Sequence, residues 1–441
     1  MINPVSKYTE CIVVKSTIYL LNKLCKEEKP NMRRTTTCIL ILLMLVILPG
    51  CMHQQSVTQP YPRWGEEIHV NQINNTNSLI LRVLLPPEPN DAPACVLLVH
   101  GMNEYIGRYS EIAHYFARRF IVAGFDLYAH GLSNPILKAA DQALITGAIR
   151  QEVSDAYLTQ TPLYDLEPMR QDMDRALRRF ITLCNEQGQP EKPVFIISHS
   201  LGSLVAASYL HAMGSKYDPA TQIQGIILLA PAFSVTEVPG WRGWLANPII
   251  KLSFHAKEHF LNPQDEPLPL LIMNQIVSLI TVPLFDGLFE FFSWPGLRQL
   301  FTPISPDWIV DYLTDSEEEK IRIRMDGWII HRNLLRYVKG IEAEIVRFRR
   351  YMSGFTTPYY LIYSGHDPIT PSWGSQDFAR ATLHTHPDNT LLSLPELNHH
   401  QHLFSSEPLR HMLLGKIDQW LDQRLSTLQH QKTTNSSGTK P

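Results

Sequence analysis

The chain has 441 residues, 44% of them hydrophobic and 18% charged, which is apolar enough for a sizeable core and excludes disorder or a polyelectrolyte role for most of its length. With 39 Lys and Arg against 42 Asp and Glu the net charge is −3, so no basic field favours nucleic acid as a partner. Six cysteines, Cys11, Cys25, Cys38, Cys51, Cys95 and Cys184, are too sparse for a disulfide scaffold and lack the CxxC spacing of a metal site.

From Met32 the chain runs Met-Arg-Arg, then a charge-free apolar run from Cys38 to Leu48, then Leu48-Pro49-Gly50-Cys51. A basic start, an apolar stretch too short to span a bilayer and a small-residue end describe a cleaved export signal. The ending resembles the bacterial lipobox. That resemblance implies lipid attachment at Cys51 as the first mature residue, and Met52 after it implies an address in the outer membrane of the bacterial cell envelope. Residues 1–31 are then expected to be a non-native upstream extension, 32–50 the signal and 51–63 a polar tether.

From about Trp64 short apolar runs alternate with longer amphipathic ones, the pattern of a mostly parallel α/β sheet. Val96–Val99, Phe120–Phe125, Val194–Ile197, Ile226–Leu229, Tyr359–Tyr363 and Thr390–Leu394 read as buried strands. Met169, Met173, Ala176, Leu177, Phe180, Ile181 and Cys184 fall at helical spacing, so Cys184 is expected to fill the core and to meet Cys95 only by chance. The rhythm divides the chain into core segments 64–235 and 356–428 around an insertion, 236–355, expected to form a helical cap or lid. A last helix over about Glu407 to Leu428 leaves a polar tail, 429–441, expected to be disordered.

Val194-Phe195-Ile196-Ile197-Ser198-His199-Ser200-Leu201-Gly202-Ser203 is an apolar strand, a tight turn and a helix start, which makes Ser200 a candidate nucleophile at a strained elbow. Ser198 stands where this turn usually has glycine, and is expected to need a crowded backbone. A helix N-terminus behind such a serine favours the oxyanion that forms on attack.

His100-Gly101-Met102-Asn103-Glu104-Tyr105-Ile106-Gly107-Arg108-Tyr109 directly follows the Val96–Val99 strand. Together with the elbow it resembles the lysophospholipase and monoacylglycerol lipase branch of the α/β-hydrolase superfamily, grouped with serine aminopeptidases, over about Trp64 to Leu428. The resemblance implies the α/β-hydrolase fold and an oxyanion hole made by the backbone N–H groups of Met102 and Leu201. A third family segment matches Asp126-Leu127-Tyr128-Ala129-His130-Gly131-Leu132-Ser133, with Ala129 in place of a glycine, and assigns His130 a structural role.

The superfamily order of nucleophile, acid and histidine places the acid after a late strand, at Asp367 in Ser364-Gly365-His366-Asp367, and the base in Asn398-His399-His400-Gln401-His402. His399 aligns best with the family, and His400 is the main alternative. A metal site at these histidines lacks a companion Glu or Asp motif. The expected chemistry is acyl transfer: Ser200 attacks an ester carbonyl, His399 takes its proton, Asp367 orients the imidazole, and water then cleaves the acyl-enzyme, with no cofactor and no metal.

Between Leu268 and Phe292 the insertion carries no charge before Asp286, which suits a cap underside, an acyl-chain tunnel or a surface that dips into lipid. The expected partners are a lipid or other ester substrate and, through Cys51, a membrane. Asp315-Ser316-Glu317-Glu318-Glu319 offers the alternative of a peptidase that binds a peptide ammonium, although a cap followed by acids also suits the first turn of a helix. A lipid-anchored scaffold without activity is the third reading, supported by Ser198 and Ala129.

Overall fold

In a computed structural model the short apolar runs lie side by side in one eight-stranded sheet. The structure describes residues 60–70, 79–145, 165–186, 192–213, 223–237, 307–330, 335–404 and 407–437, with scattered residues between 244 and 258, all within one unit, Gln55–Pro441. The expected extension and signal, Cys51 and the apolar stretch 268–292 lie outside the described residues.

The strands are β1 (Glu66–Val70), β2 (Leu79–Leu84), β3 (Cys95–Val99), β4 (Ile121–Phe125), β5 (Val194–His199), β6 (Ile223–Leu229), β7 (Tyr359–Ser364) and β8 (Thr390–Leu394). Their order is β1-β2-β4-β3-β5-β6-β7-β8, antiparallel through β1, β2 and β4 and parallel from β4 to β8. β3 and β5 are apolar on both faces because helices cover both faces. The two-residue period of the strand sends Cys95, Leu97 and Val99 to one core and Val96 and Leu98 to the other.

Eight of the nine α-helices among the described residues form the outer layers, the ninth being the single turn Gln401–Phe404: α1 (Ser110–Phe116), α2 (Pro135–Ile145), α3 (Glu167–Glu186), α4 (Leu201–Met213), α5 (Glu317–Met325), α6 (Leu335–Tyr351), α7 (Ser372–Thr382) and α8 (Leu409–Ser437). The apolar stripes of α3, α4, α6 and α7 supply one core, and those of α1, α2, α5 and α8 the other. The result is the α/β-hydrolase architecture, a mostly parallel sheet between two helical layers. α5 and α6 come from the segment expected to be a cap. Glu344 on α6 accepts from Arg170 on α3 at 2.7 Å and from the Ser208 hydroxyl on α4, which ties that helix to the core.

Three expectations are corrected, and two strands are added that the sequence did not reveal. β1 and β2 were not legible as strands, and they extend the sheet by antiparallel pairing at its far edge. β8 is an edge strand, not a buried one, with Thr390, Leu391 and Ser393 exposed, because no strand covers its outer side. α8 continues past Leu428 to Ser437, through part of the tail expected to be disordered, because a helix anchored by Trp420, Leu421 and Leu425 gains one hydrogen bond for each residue added. Cys95 and Cys184 form a disulfide, with Cα atoms 6.4 Å apart. Cys95 opens β3 on the face that α3 crosses, and Cys184 closes the buried stripe of α3, so sheet–helix packing brings the two sulfurs together. Among the described residues no helix is long and apolar enough to cross a membrane.

Candidate active site

The loops after β3, β5, β7 and β8 gather at one edge of the sheet, at the carboxyl ends of the parallel strands. β3 lies between β4 and β5, so the chain leaves it toward one side and later returns on the other, which makes its carboxyl end the topological switch point of the sheet. Ser200 follows β5 with φ of 53°, a left-handed backbone that a side chain enters only when its surroundings enforce it. Here the Ser200 N–H donates to Leu229 O at 2.9 Å, and its carbonyl accepts from Ala232 N at 3.1 Å. A Cβ on Gly202 would stand 2.3 Å from His100 O, so only glycine lets α4 start this close to the end of β3.

The structure brings Ser200, His399 and Asp367 together. His399 Nε2 is 2.8 Å from Ser200 Oγ, and Nδ1 is 2.7 Å from Asp367 Oδ2. All three side chains are buried. Asp367 is held by Ile369 N and Thr370 N, which donate to Oδ1 at 2.8 and 3.1 Å, and by the Thr370 hydroxyl, which donates to Oδ2 at 2.7 Å. With Nδ1–H directed at the carboxylate, Nε2 is left to accept the serine proton. His400 touches neither Ser200 nor Asp367 among the described contacts: its ring packs 5.9 Å from those of His199 and Phe404, and burial holds its basicity well below the usual histidine range. The His402 side chain lies outside the described residues.

Leu201 is the first residue of α4, so its N–H belongs to the turn that a helix leaves unpaired. Met102 stands between two anchored neighbours, Gly101 and Asn103. A Cβ on Gly101 would lie 3.1 Å from Ser200 Cβ. Asn103, at φ of 63°, donates its N–H to His130 Nε2 at 3.1 Å and accepts from Ile330 N at 3.0 Å. His130 returns Nδ1–H to Tyr128 O at 2.9 Å, and burial pushes its pKa down to about 3. His100 accepts from Leu127 N at 2.9 Å and lies 2.8 Å from Gly101 O, with burial lowering its pKa to about 4. Both are neutral clamps that hold the loop of Met102 against the loop of Ala129.

Ser198 does not need the crowded backbone expected of it. It lies inside β5, outside the left-handed region, and its hydroxyl donates to Ile227 O at 3.1 Å. Ala129 does adopt the left-handed conformation, at φ of 66°. The acidic segment forms the first turn of α5: Ser316 Oγ accepts from Glu319 N, Asp315 pairs with Asn398, Glu317 with Lys320, and Glu319 with Arg108 and Arg322. Among the described residues no cluster of His, Cys, Asp and Glu has the arrangement of a metal site. Sequence reasoning missed Thr370 and the pairing of Glu104 with His199. The Asp-x-x-Thr spacing of an Asx-type turn was the available signal for the first.

A serine, a histidine and a carboxylate hydrogen-bonded in series at the carboxyl edge of such a sheet define a hydrolase of the α/β-hydrolase class. Residues 90–404 match the family described as serine aminopeptidase, S33, and the chain belongs to that family. Its fold is shared with a soluble variant of monoglyceride lipase from Saccharomyces cerevisiae, at 13% identity and a TM-score of 0.55 over 83% of this chain and 99% of that one. Solved structures of a monoacylglycerol lipase from Paleococcus ferrophilus (16% identity, TM-score 0.49, 78% and 99% covered) and a thermostable carboxyl esterase from Bacillus coagulans (16%, 0.49, 82% and 100%) are also similar. No curated protein matches the sequence.

Proposed function

We propose that the protein is a serine ester hydrolase that cleaves carboxylic esters of lipids, of the lysophospholipase or monoacylglycerol lipase kind. The observation that carries this reading is the series Ser200 Oγ to His399 Nε2 at 2.8 Å and His399 Nδ1 to Asp367 Oδ2 at 2.7 Å. Ser200 attacks the ester carbonyl as His399 takes its proton. The backbone N–H groups of Met102 and Leu201 stabilise the oxyanion, an effect worth on the order of 10²- to 10³-fold in rate for one donor. His399 then protonates the leaving alcohol, and water attacks the acyl-enzyme by the reverse proton transfers. Asp367 keeps the imidazole in the required tautomer throughout.

The lipid substrate is supported by the uncharged run from Leu268 to Phe285 in the insertion and by the signal at 32–50, after which a lipid on Cys51 would hold the enzyme on the outer membrane of a bacterium. The Cys95–Cys184 disulfide suits the same oxidising compartment. Peptidase activity has the family description behind it, whereas the acidic segment that would receive a peptide ammonium is engaged in ion pairs, the cap of α5 and a bond to Asn398.

Two measurements test the proposal. A fluorophosphonate should label Ser200, and Ser200→Ala should abolish labelling. p-Nitrophenyl esters of increasing acyl length, monoacylglycerol and lysophosphatidylcholine should then be compared with aminoacyl anilides. Turnover of the anilides alone would overturn the ester reading, and absence of any adduct on folded protein would favour an inactive scaffold.

A further inference from the structure

We propose that His199, the residue before the nucleophile, is a positioning residue that holds the main chain of His399 in place and is itself held by Glu104. The proposal rests on the reading of Ser200 and His399 as nucleophile and base. His199 ends β5 and is fully buried. Its Nε2 lies 3.2 Å from the carbonyl oxygen of His399, its Nδ1 lies 3.1 Å from Glu104 Oε1, and its ring stands 4.8 Å from that of His399.

The protons follow from the partners. A carbonyl oxygen only accepts, so the first contact requires a proton on Nε2. The second requires one between Nδ1 and the carboxyl, whichever of the two carries it. The pair therefore holds two protons and no net charge, and it can donate to His399 without leaving a charge unpaired beside the site.

Glu104 is fixed in turn. Arg108 Nη1 donates to its Oε2 at 2.9 Å, and Arg108 also pairs with Glu319 of α5. Gly101 makes room for this arrangement. A Cβ there would stand 2.6 Å from Glu104 Oε1, 3.0 Å from His199 Nδ1 and 3.1 Å from Ser200 Cβ, so a side chain would enter the hydrogen bond and press on the nucleophile together.

His399 needs such support because it follows an exposed edge strand. Its N–H reaches Tyr312 O at 3.4 Å and the next N–H reaches Leu313 O at 2.7 Å, both in the insertion, whereas the carbonyl bond to His199 connects its main chain to the central strand that carries Ser200. A base displaced by about 1 Å loses on the order of 10²-fold in rate.

The test compares His199→Phe, which keeps a ring and removes both N–H groups, with His199→Gln, which keeps an N–H able to reach the carbonyl. Turnover of a p-nitrophenyl ester is expressed per site titrated with fluorophosphonate, so that misfolded enzyme is not counted. His199→Phe should lose about 30- to 100-fold in kcat with KM changed by less than about threefold, and His199→Gln should recover to within about fivefold of wild type. Wild-type turnover per titrated site in the Phe variant, or a Gln variant as slow as Phe, would overturn the proposal. Side-chain ¹⁵N NMR of the wild-type enzyme provides a reading that no folding defect can obscure: His199 Nε2 should be protonated across neutral pH, and an unprotonated Nε2 sinks the idea. If the wild type neither turns over ester nor labels at Ser200, the nucleophile assignment fails instead, and the nitrogen spectrum still reports separately on His199.

Discussion

The hydroxyl of Thr370 donates to Asp367 Oδ2 at 2.7 Å, the same oxygen that faces His399 Nδ1. Removing it leaves Asp367 oriented by the two backbone N–H groups on Oδ1, so Thr370→Val should lower kcat only about three- to tenfold and leave KM unchanged. Asp367→Asn changes the tautomer of His399 itself and should lose on the order of 10⁴-fold. Steady-state kinetics on a single ester distinguish the two. Equal losses would mean that the hydroxyl, not the backbone, sets the orientation of the carboxylate.

His100 and His130 make stability depend on pH. Burial lowers them to about 4 and about 3, while the unfolded chain titrates near 6.5, so the unfolded state binds protons first as the pH falls. Their contribution is complete above pH of about 6.5 and declines by about 1.4 kcal/mol per pH unit for each histidine until the folded values are reached. His400, also held down by burial, acts in the same direction. Denaturant melts at pH 7, 6 and 5 should show this slope, and His130→Gln, whose amide can meet both partners of the ring, should flatten it by about one proton. An unchanged slope in that variant would exclude His130 as a contributor.

The parts of the site legible in the sequence are those carried by local pattern. β3, β5, β6 and β7 were visible because strands covered on both faces are apolar throughout, and Ser200 because strand, turn and helix follow one another within ten residues. Asp367 and His399 were legible only through chain order, since Gly-x-Asp and a run of histidines occur in many loops. β1 was not visible: Glu66-Glu67-Ile68-His69-Val70 is an edge strand with little to bury, and its apolar pattern is weak. The Cys95–Cys184 bond and the contact from His199 to the carbonyl of His399 join residues 89 and 200 positions apart, which no local period encodes.

Two departures from the family glycines should behave differently when glycine is restored. Ser198 has an ordinary strand backbone and a hydroxyl bonded to Ile227 O, so Ser198→Gly should cost about 1–2 kcal/mol with little effect on kcat. Ala129 is left-handed and fully buried. Relief of about 1–2 kcal/mol of strain is offset by the added entropy of the unfolded chain and the lost methyl burial, so Ala129→Gly should stay within about 1 kcal/mol of wild type. Thermal melts of both variants check this. A stabilised Ser198→Gly would mean that the elbow is strained at its first position after all.

The Cys95–Cys184 disulfide closes a long loop between β3, which leads into the His100–Gly101 turn, and α3 on the face of the sheet. Cross-linking across 89 residues should stabilise the fold by about 2–4 kcal/mol, mainly by restricting the unfolded chain. Cys95→Ala and Cys184→Ala should therefore each lower the melting temperature, and the double variant should fall no further than the worse single one by more than the cost of a second buried methyl-sized loss, because both remove the same bond. Activity at low temperature should persist in all three, since Cys95 opens β3 and so lies at the end of the strand opposite the carboxyl-edge loops that carry Ser200, Asp367 and His399. Peptide mapping after alkylation without reduction provides the direct check: the two cysteines should be recovered in one linked peptide pair, and recovery of both as alkylated thiols from protein folded under oxidising conditions would show that the bond does not form.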